Sequence, residues 1–211
     1  MAIYLDSASI TDARRALSLS FVSGVTTNPT FVAKTGRRGR EVLAELLALG
    51  DGPVFYQVTA PDAQGRLAQA RQAVSAAPER VVVKVPATTE NIALAAQLTA
   101  EGLRVCVTAV NSPAQAYLAA QAGAAFVAPY VNRLTRQMGD GLAVVRQIAA
   151  LLAGTETRVL AASLKSVDEV VDTLLAGAHD VTMPLDLILA LGEHPFSQRA
   201  IEQFDAHGDL F

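Results

Sequence analysis

The chain has 211 residues, 51% of them hydrophobic and 18% charged, which describes a globular protein with a sizeable core and excludes a disordered or fibrous one. A formal net charge of −3 leaves no basic footprint, so neither nucleic acid nor a membrane surface is expected as a partner. A single cysteine, Cys106, excludes an internal disulfide framework, and the start Met1-Ala2-Ile3-Tyr4-Leu5-Asp6 has no basic stretch followed by an apolar one; together they predict a cytoplasmic protein.

In chain order, residues 3–5 form a first strand-like run that ends at Asp6, and Ser9-Ile10-Thr11-Asp12 has the form of a capping box ahead of a helix over 13–19. A second run, 24–26, leads into Thr26, Thr27 and Asn28, where Asn28-Pro29 offers an N-cap followed by proline at the first helical position. The third run, 54–58, carries Gln57 near its end, and the fourth, 81–85, carries Lys84. Glu101-Gly102 closes a helix before run five, 104–108, which ends at Thr108; Ala122-Gly123 does the same before run six, 126–128, followed by Tyr130 and Arg133. Run seven, 158–162, is followed by Ser163 and Lys165, and Ala176-Gly177 precedes run eight, 180–182. A short helical tail over about 195–211 completes the chain, with Leu189, Leu191, Phe204 and Phe211 as apolar residues able to pack on the barrel or on a neighbouring subunit.

The starts of these runs lie roughly 20 to 32 residues apart, the spacing of βα units. Alternating strands and helices imply a parallel sheet covered by helices. Eight units without a long linker predict an α/β protein that is a single-domain closed (β/α)8 TIM barrel, compact beside the usual size of about 250 residues. An open doubly wound sheet is the rival, but no G-x-G-x-x-G follows the first run. The uncharged stretch from Val105 to Asn132 reads as buried core and not as a membrane span, because Asn111, Ser112, Gln115 and Gln121 spread polar groups through it. Gly139-Asp140-Gly141 reads as a loop ahead of a helix, lacking the strand and spacing of a phosphate loop.

Lys84 interrupts Arg80-Val81-Val82-Val83-Lys84-Val85-Pro86, otherwise a buried parallel strand, and is one of only three lysines, with Lys34 and Lys165. A desolvated ammonium must lower its pKa, find a partner or escape to solvent at the strand end; in the first case it becomes a nucleophile able to form a Schiff base. In a barrel the active site lies at the carboxyl ends of the strands. Asp6, Thr26, Asn28, Gln57, Lys84, Thr108, Tyr130, Arg133, Ser163 and Lys165 gather there, although each alone has an ordinary structural explanation as a cap, a satisfied hydroxyl or a solvated charge. The histidines lie elsewhere: His179 stands before run eight at the opposite face, and His194 and His207 lie in the tail. No His and Cys cluster serves the mouth, so no metal and no cofactor is expected. The electron sink is then a protonated imine at Lys84. Asp6 and Tyr130, with a water held by Gln57 and Thr108, are the candidates for proton transfer, while Arg133, Ser163 and Lys165 are suited to a phosphate. The expected partner is a small sugar phosphate.

These residues resemble the transaldolase and fructose-6-phosphate aldolase family of Schiff-base barrel enzymes. The matching segments are Tyr4-Leu5-Asp6, Gly24-Val25-Thr26-Thr27-Asn28-Pro29-Thr30, Val83-Lys84-Val85-Pro86-Ala87-Thr88, Ala128-Pro129-Tyr130-Val131-Asn132-Arg133 and Leu160-Ala161-Ala162-Ser163-Leu164-Lys165. The resemblance implies Lys84 as the imine-forming residue, Asp6, Asn28 and Thr108 around the bound ketose, Arg133 and Ser163 as phosphate contacts, and a homo-oligomer, pentamer or decamer. Short transaldolases of the family usually carry glutamate at the position of Gln57 and Ser-Pro-Phe at Ala128-Pro129-Tyr130, so both positions resemble the aldolase form. Thr135 stands where the family commonly has an acidic residue, and the tail lacks the family's tryptophan. The resemblance thus implies fructose-6-phosphate cleavage and formation through dihydroxyacetone and glyceraldehyde 3-phosphate. The alternatives are transaldolase transfer of the same unit to erythrose 4-phosphate, or a non-catalytic sugar-phosphate-binding barrel.

Overall fold

A computed structural model describes residues 1–208. Eight strands, β1 (Ala2–Asp6), β2 (Val22–Thr26), β3 (Val54–Gln57), β4 (Val81–Pro86), β5 (Val105–Val110), β6 (Phe126–Pro129), β7 (Arg158–Ala161) and β8 (Asp180–Met183), pair in chain order and close into a parallel barrel through β8 and β1. The (β/α)8 expectation therefore holds and the open sheet does not. β-branched runs supply the strands, and left-handed Gly102, Gly123 and Gly177 (φ +82°, +76° and +99°) end the preceding helices without a Cβ penalty.

The helices are α1 (Ile10–Leu17), α2 (Pro29–Lys34), α3 (Gly39–Leu47), α4 (Ala63–Ser75), α5 (Thr89–Ala100), α6 (Pro113–Gln121), α7 (Val131–Met138), α8 (Gly141–Leu151), α9 (Val167–Leu175), α10 (Leu185–Ala190) and α11 (Pro195–Asp205). α1 begins three residues earlier than expected, because Ser9 is its cap and accepts from the Asp12 N–H. The capping box is only half formed: the Asp12 carboxylate accepts from the Ser7 hydroxyl, and the Ser9 N–H donates to Ser7 Oγ. In the segment read as a loop, Gly139 ends α7 in the left-handed region (φ +92°), Asp140 caps α8, and Gly141 already belongs to that helix. No helix among the described residues is long and apolar enough to cross a membrane.

Side chains alternate between two cores, as the period of a strand requires. Outward-facing Leu5, Val25, Val54, Val81, Val83, Val85, Val105, Val107, Val127, Val159 and Val181 join the helices in one large core. Inward-facing Tyr4, Phe55, Val82, Cys106, Phe126, Ala128 and Leu160 fill the cylinder, with Phe55 edge-on to Tyr4 and Phe126 at centroid distances of 5.3 and 5.1 Å. At the amino-terminal end of the strands the Asp180 carboxylate, fully buried, takes a bidentate pair from Arg158 (2.7 Å each) and the Ala2 N–H at 2.8 Å. There too His179 Nδ1 accepts from the Val159 N–H, so this end reads as a structural seal.

α11 buries none of its side chains, and Phe196, Ile201 and Phe204 are exposed on it. Phe204 therefore does not pack on its own barrel, and Phe211 lies outside the described residues.

Candidate active site

Two residues beyond five of the seven plug residues, the inward face of the strand becomes polar. Tyr4 is followed by Asp6, Phe55 by Gln57, Val82 by Lys84, Cys106 by Thr108, and Ala128 by Tyr130. All ten residues singled out in the sequence, Asp6, Thr26, Asn28, Gln57, Lys84, Thr108, Tyr130, Arg133, Ser163 and Lys165, line one cavity of about 450 Å³ at the carboxyl ends of the strands.

Lys84 is 5% exposed. It neither escapes to solvent nor forms a salt bridge within the described residues. Nζ instead donates to the Thr27 carbonyl at 2.8 Å, reaching across the mouth from β4 to the end of β2. That single hydrogen bond holds the amine inside the cavity while leaving its remaining hydrogens for exchange. Cys106, the register neighbour of Lys84 on β5, is fully buried in the plug; burial pushes its thiol up to about 12, so it is a packed hydrophobe and not a second nucleophile.

Asp6 accepts from Thr26 Oγ1 at 2.9 Å. Burial pushes its carboxyl above the ordinary range, and the Lys84 charge, the Thr26 hydrogen bond and the Lys165 charge only partly offset this. A carboxylate with a raised proton affinity beside an amine is suited to taking protons from substrate hydroxyls. Opposite it, the Thr108 and Tyr130 hydroxyls lie 3.0 Å apart. Gln57 is the register partner of Lys84 and lines both this cavity and a second one of about 280 Å³ behind it. Asn28 caps α2, its Oδ1 accepting from the Phe31 N–H at 3.0 Å, which leaves the amide N–H groups as donors. The capping explanation and a place in the site are therefore compatible.

The phosphate candidates come from two neighbouring segments. Arg133, in the first turn of α7, has its guanidinium 4.7 Å from the Tyr130 ring centroid. Ser163 and Lys165 follow β7, and Arg133 and Lys165 form no salt bridge within the described residues. Glu169 ties these segments together, accepting from Asn132 Nδ2 at 3.2 Å and from the Lys165 N–H at 2.6 Å. Ala109 and Ser163 adopt left-handed backbone (φ +54° and +63°), a strain of about 1–3 kcal/mol each that clusters at ligand sites.

Thr182 and Glu169 are among the polar residues that sequence reasoning missed, as is Thr30 at the rim of the cavity. Thr182, 2% exposed, completes the inward polar ring on β8, and its hydroxyl lies 2.7 Å from that of Thr26; the two-residue period that marks the other strand ends would have found it. Glu169 was legible only as the fourth residue of Ser166-Val167-Asp168-Glu169, the form of a capping box.

Residues 3–209 match the family model described as Transaldolase/Fructose-6-phosphate aldolase. A probable transaldolase from Symbiobacterium thermophilum is 39% identical over 206 residues, covering 97% of this chain and 95% of that one. One from Aquifex aeolicus is 37% identical over 206 residues, with 97% and 94% covered. Among solved structures, inosine 5′ monophosphate dehydrogenase from Legionella pneumophila superposes with a TM-score of 0.64 at 16% identity, over 89% of this chain and 58% of that one. A mandelate oxidase variant gives 0.63 at 20% identity, over 90% and 66%. These two likenesses are of fold alone.

Proposed function

Because the chain belongs to the transaldolase/fructose-6-phosphate aldolase family, we propose that this enzyme of the aldolase and transaldolase type is specifically a Schiff-base aldolase that cleaves and forms fructose 6-phosphate. The observation that carries this finer reading is the Tyr130 phenol, hydrogen-bonded to Thr108 at 3.0 Å in the cavity that holds Lys84.

In this reading the substrate phosphate sits among Arg133, Ser163 and Lys165, which directs the C2 carbonyl of the open-chain ketose toward Lys84 Nζ. The free amine adds to C2, and loss of water gives a protonated imine. Asp6 takes the proton of the C4 hydroxyl, the C3–C4 bond breaks, and its electron pair moves onto the imine as an enamine. Glyceraldehyde 3-phosphate leaves. Tyr130, through a water held by Gln57 and Thr108, delivers a proton to C3, and hydrolysis of the regenerated imine frees dihydroxyacetone and Lys84. Asn28 and Thr26 orient the ketose and Asp6 respectively.

A transaldolase reading uses the same steps as far as the enamine, which then waits for erythrose 4-phosphate; the names of the relatives favour it. The distinction lies in how readily the enamine is protonated, and an amide at Gln57 with a phenol at Tyr130 favours protonation. A cytoplasmic homo-oligomer, pentamer or decamer, belongs to the same proposal, supported by the exposed Phe196, Ile201 and Phe204 of α11. The test is to follow glyceraldehyde 3-phosphate release from fructose 6-phosphate with no acceptor present. Sustained turnover is expected; release of about one equivalent per subunit that resumes only with erythrose 4-phosphate makes the protein a transaldolase.

A further inference from the structure

We propose that Thr182 is a positioning residue for Asp6, acting through Thr26 by a one-way chain of hydroxyl hydrogen bonds; this rests on the Schiff-base reading of the same site and extends it to a residue that touches neither Lys84 nor the phosphate candidates. The three residues sit on adjacent strands β8, β1 and β2, and the Thr26 and Thr182 hydroxyls meet at 2.7 Å across β1.

The direction of the chain follows from counting hydrogens. An ionised carboxylate only accepts, so the 2.9 Å contact between Thr26 Oγ1 and Asp6 Oδ1 uses the single hydrogen of the Thr26 hydroxyl. With that hydrogen committed, Thr26 can only accept at its other contact, and Thr182 must be the donor there. Donation from Thr182 polarises the Thr26 hydroxyl and fixes its rotamer, so Thr26 becomes a stronger and better aimed donor to Asp6.

Two other buried threonines spend their hydroxyls on a backbone carbonyl, Thr27 on Phe55 at 2.8 Å and Thr157 on Ala124 at 2.7 Å. Thr26 and Thr182, 1% and 2% exposed, are linked to each other and to Asp6 instead. The charged groups acting on Asp6 are Lys84 from β4 and Lys165 from the segment after β7. Both favour the carboxylate through charge alone. Thr26 is the one side chain among the described residues that holds it by a hydrogen bond, and a directed donor is what selects which carboxylate oxygen faces the substrate.

The test compares Thr182→Val, which keeps the shape and removes the donor, with Thr182→Ser, which restores it. The Asp6 carboxyl is titrated by NMR in protein labelled with 13C-aspartate, its signal assigned by its loss in Asp6→Asn. The pH profile of kcat/KM for fructose 6-phosphate cleavage is recorded alongside. The valine variant is expected to raise the Asp6 midpoint and the acidic limb of the profile by about half to one pH unit, and the serine variant to return both. Should the valine variant fold poorly, Thr182→Cys, a weak donor, is expected to lie between them. A valine or cysteine variant whose Asp6 midpoint stays at the parent value, with only the melting temperature changed, makes Thr182 a structural hydroxyl and overturns the inference. Failure of the parent to form a borohydride-trapped adduct at Lys84 would instead sink the Schiff-base reading, and the NMR midpoints would still decide the Thr182 chain.

Discussion

Replacing Tyr130 by phenylalanine removes one oxygen and leaves the ring. Because the Arg133 guanidinium packs on the ring at 4.7 Å, the contact that holds the phosphate-binding arginine survives, and KM for fructose 6-phosphate should change less than about threefold. What is lost is the phenol that shares a 3.0 Å hydrogen bond with Thr108. Positioned general acid catalysis contributes about 10² to 10⁴ in rate, equivalent to about 2.7 to 5.4 kcal/mol, so kcat for acceptor-free cleavage should fall by at least about a hundredfold. Stability should hardly move. One lost hydrogen bond costs about 1 kcal/mol. At about 2.1 cal/mol/K per residue the 211-residue chain unfolds with an entropy near 440 cal/mol/K, which makes the shift in Tm about 2 °C. The assay measures cleavage without acceptor and transfer to erythrose 4-phosphate in the same variant. Transfer should persist within a few-fold, since imine formation and C–C cleavage belong to Lys84 and Asp6. Cleavage at the parent rate, or an equal fall in both activities, would refute the assignment of enamine protonation to Tyr130.

Three further outcomes are expected. Borohydride with fructose 6-phosphate or dihydroxyacetone should leave a permanent adduct on Lys84 by peptide mass spectrometry, absent in Lys84→Arg; labelling of Lys34 or Lys165 with Lys84 untouched would remove the lysine from its role. Arg133→Ala should raise KM for fructose 6-phosphate by about ten- to a hundredfold, as loss of a charge-assisted contact implies, yet leave cleavage of unphosphorylated fructose within about twofold. Equal effects on both ketoses would place the phosphate elsewhere. Asp6→Asn should inactivate the enzyme and stabilise its fold at neutral pH. The folded-state pKa of Asp6 is raised, mainly by burial, so its ionised form costs stability above that pKa, and the cost vanishes below the unfolded value of about 3.8. The Tm advantage of the asparagine variant should therefore shrink as pH falls through the raised pKa; an advantage that grows toward acid pH would reverse the sign of the argument.

The strands were legible because each is a short β-branched or apolar run, and five of the eight, β3, β4, β6, β7 and β8, begin at the residue where the sequence places them. Left-handed glycines punctuate the helices before β5, β6 and β8 in the same way. The site was legible for a related reason. Polar residues at the ends of apolar runs have one place to converge once the sheet closes, and all ten do so. Partner choice was not legible. Neither the Thr27 carbonyl as acceptor for Lys84 nor the reach of Glu169 to Asn132 leaves a mark in the sequence, because both bonds link residues brought together only by barrel closure. Thr182 is hidden for another reason: it is the last residue of run eight, no polar residue follows to mark the strand end, and only the two-residue period shared with the other strands points to it. Asp12 shows the limit of local motifs: its spacing fits a capping box, but the Ser7 hydroxyl takes its carboxylate.

Cys106 lies in the aromatic plug beneath Lys84, fully buried, and it is the sole cysteine of the chain. The exterior of the barrel is thus a blank slate for thiol chemistry. A cysteine introduced at an exposed helical position such as Gln72 or Gln147 would be the single thiol that a maleimide reaches in the folded protein. A fluorophore, a surface tether or a second enzyme can be attached at one chosen point on the wall, with the mouth of the barrel left open and the native cysteine left in place.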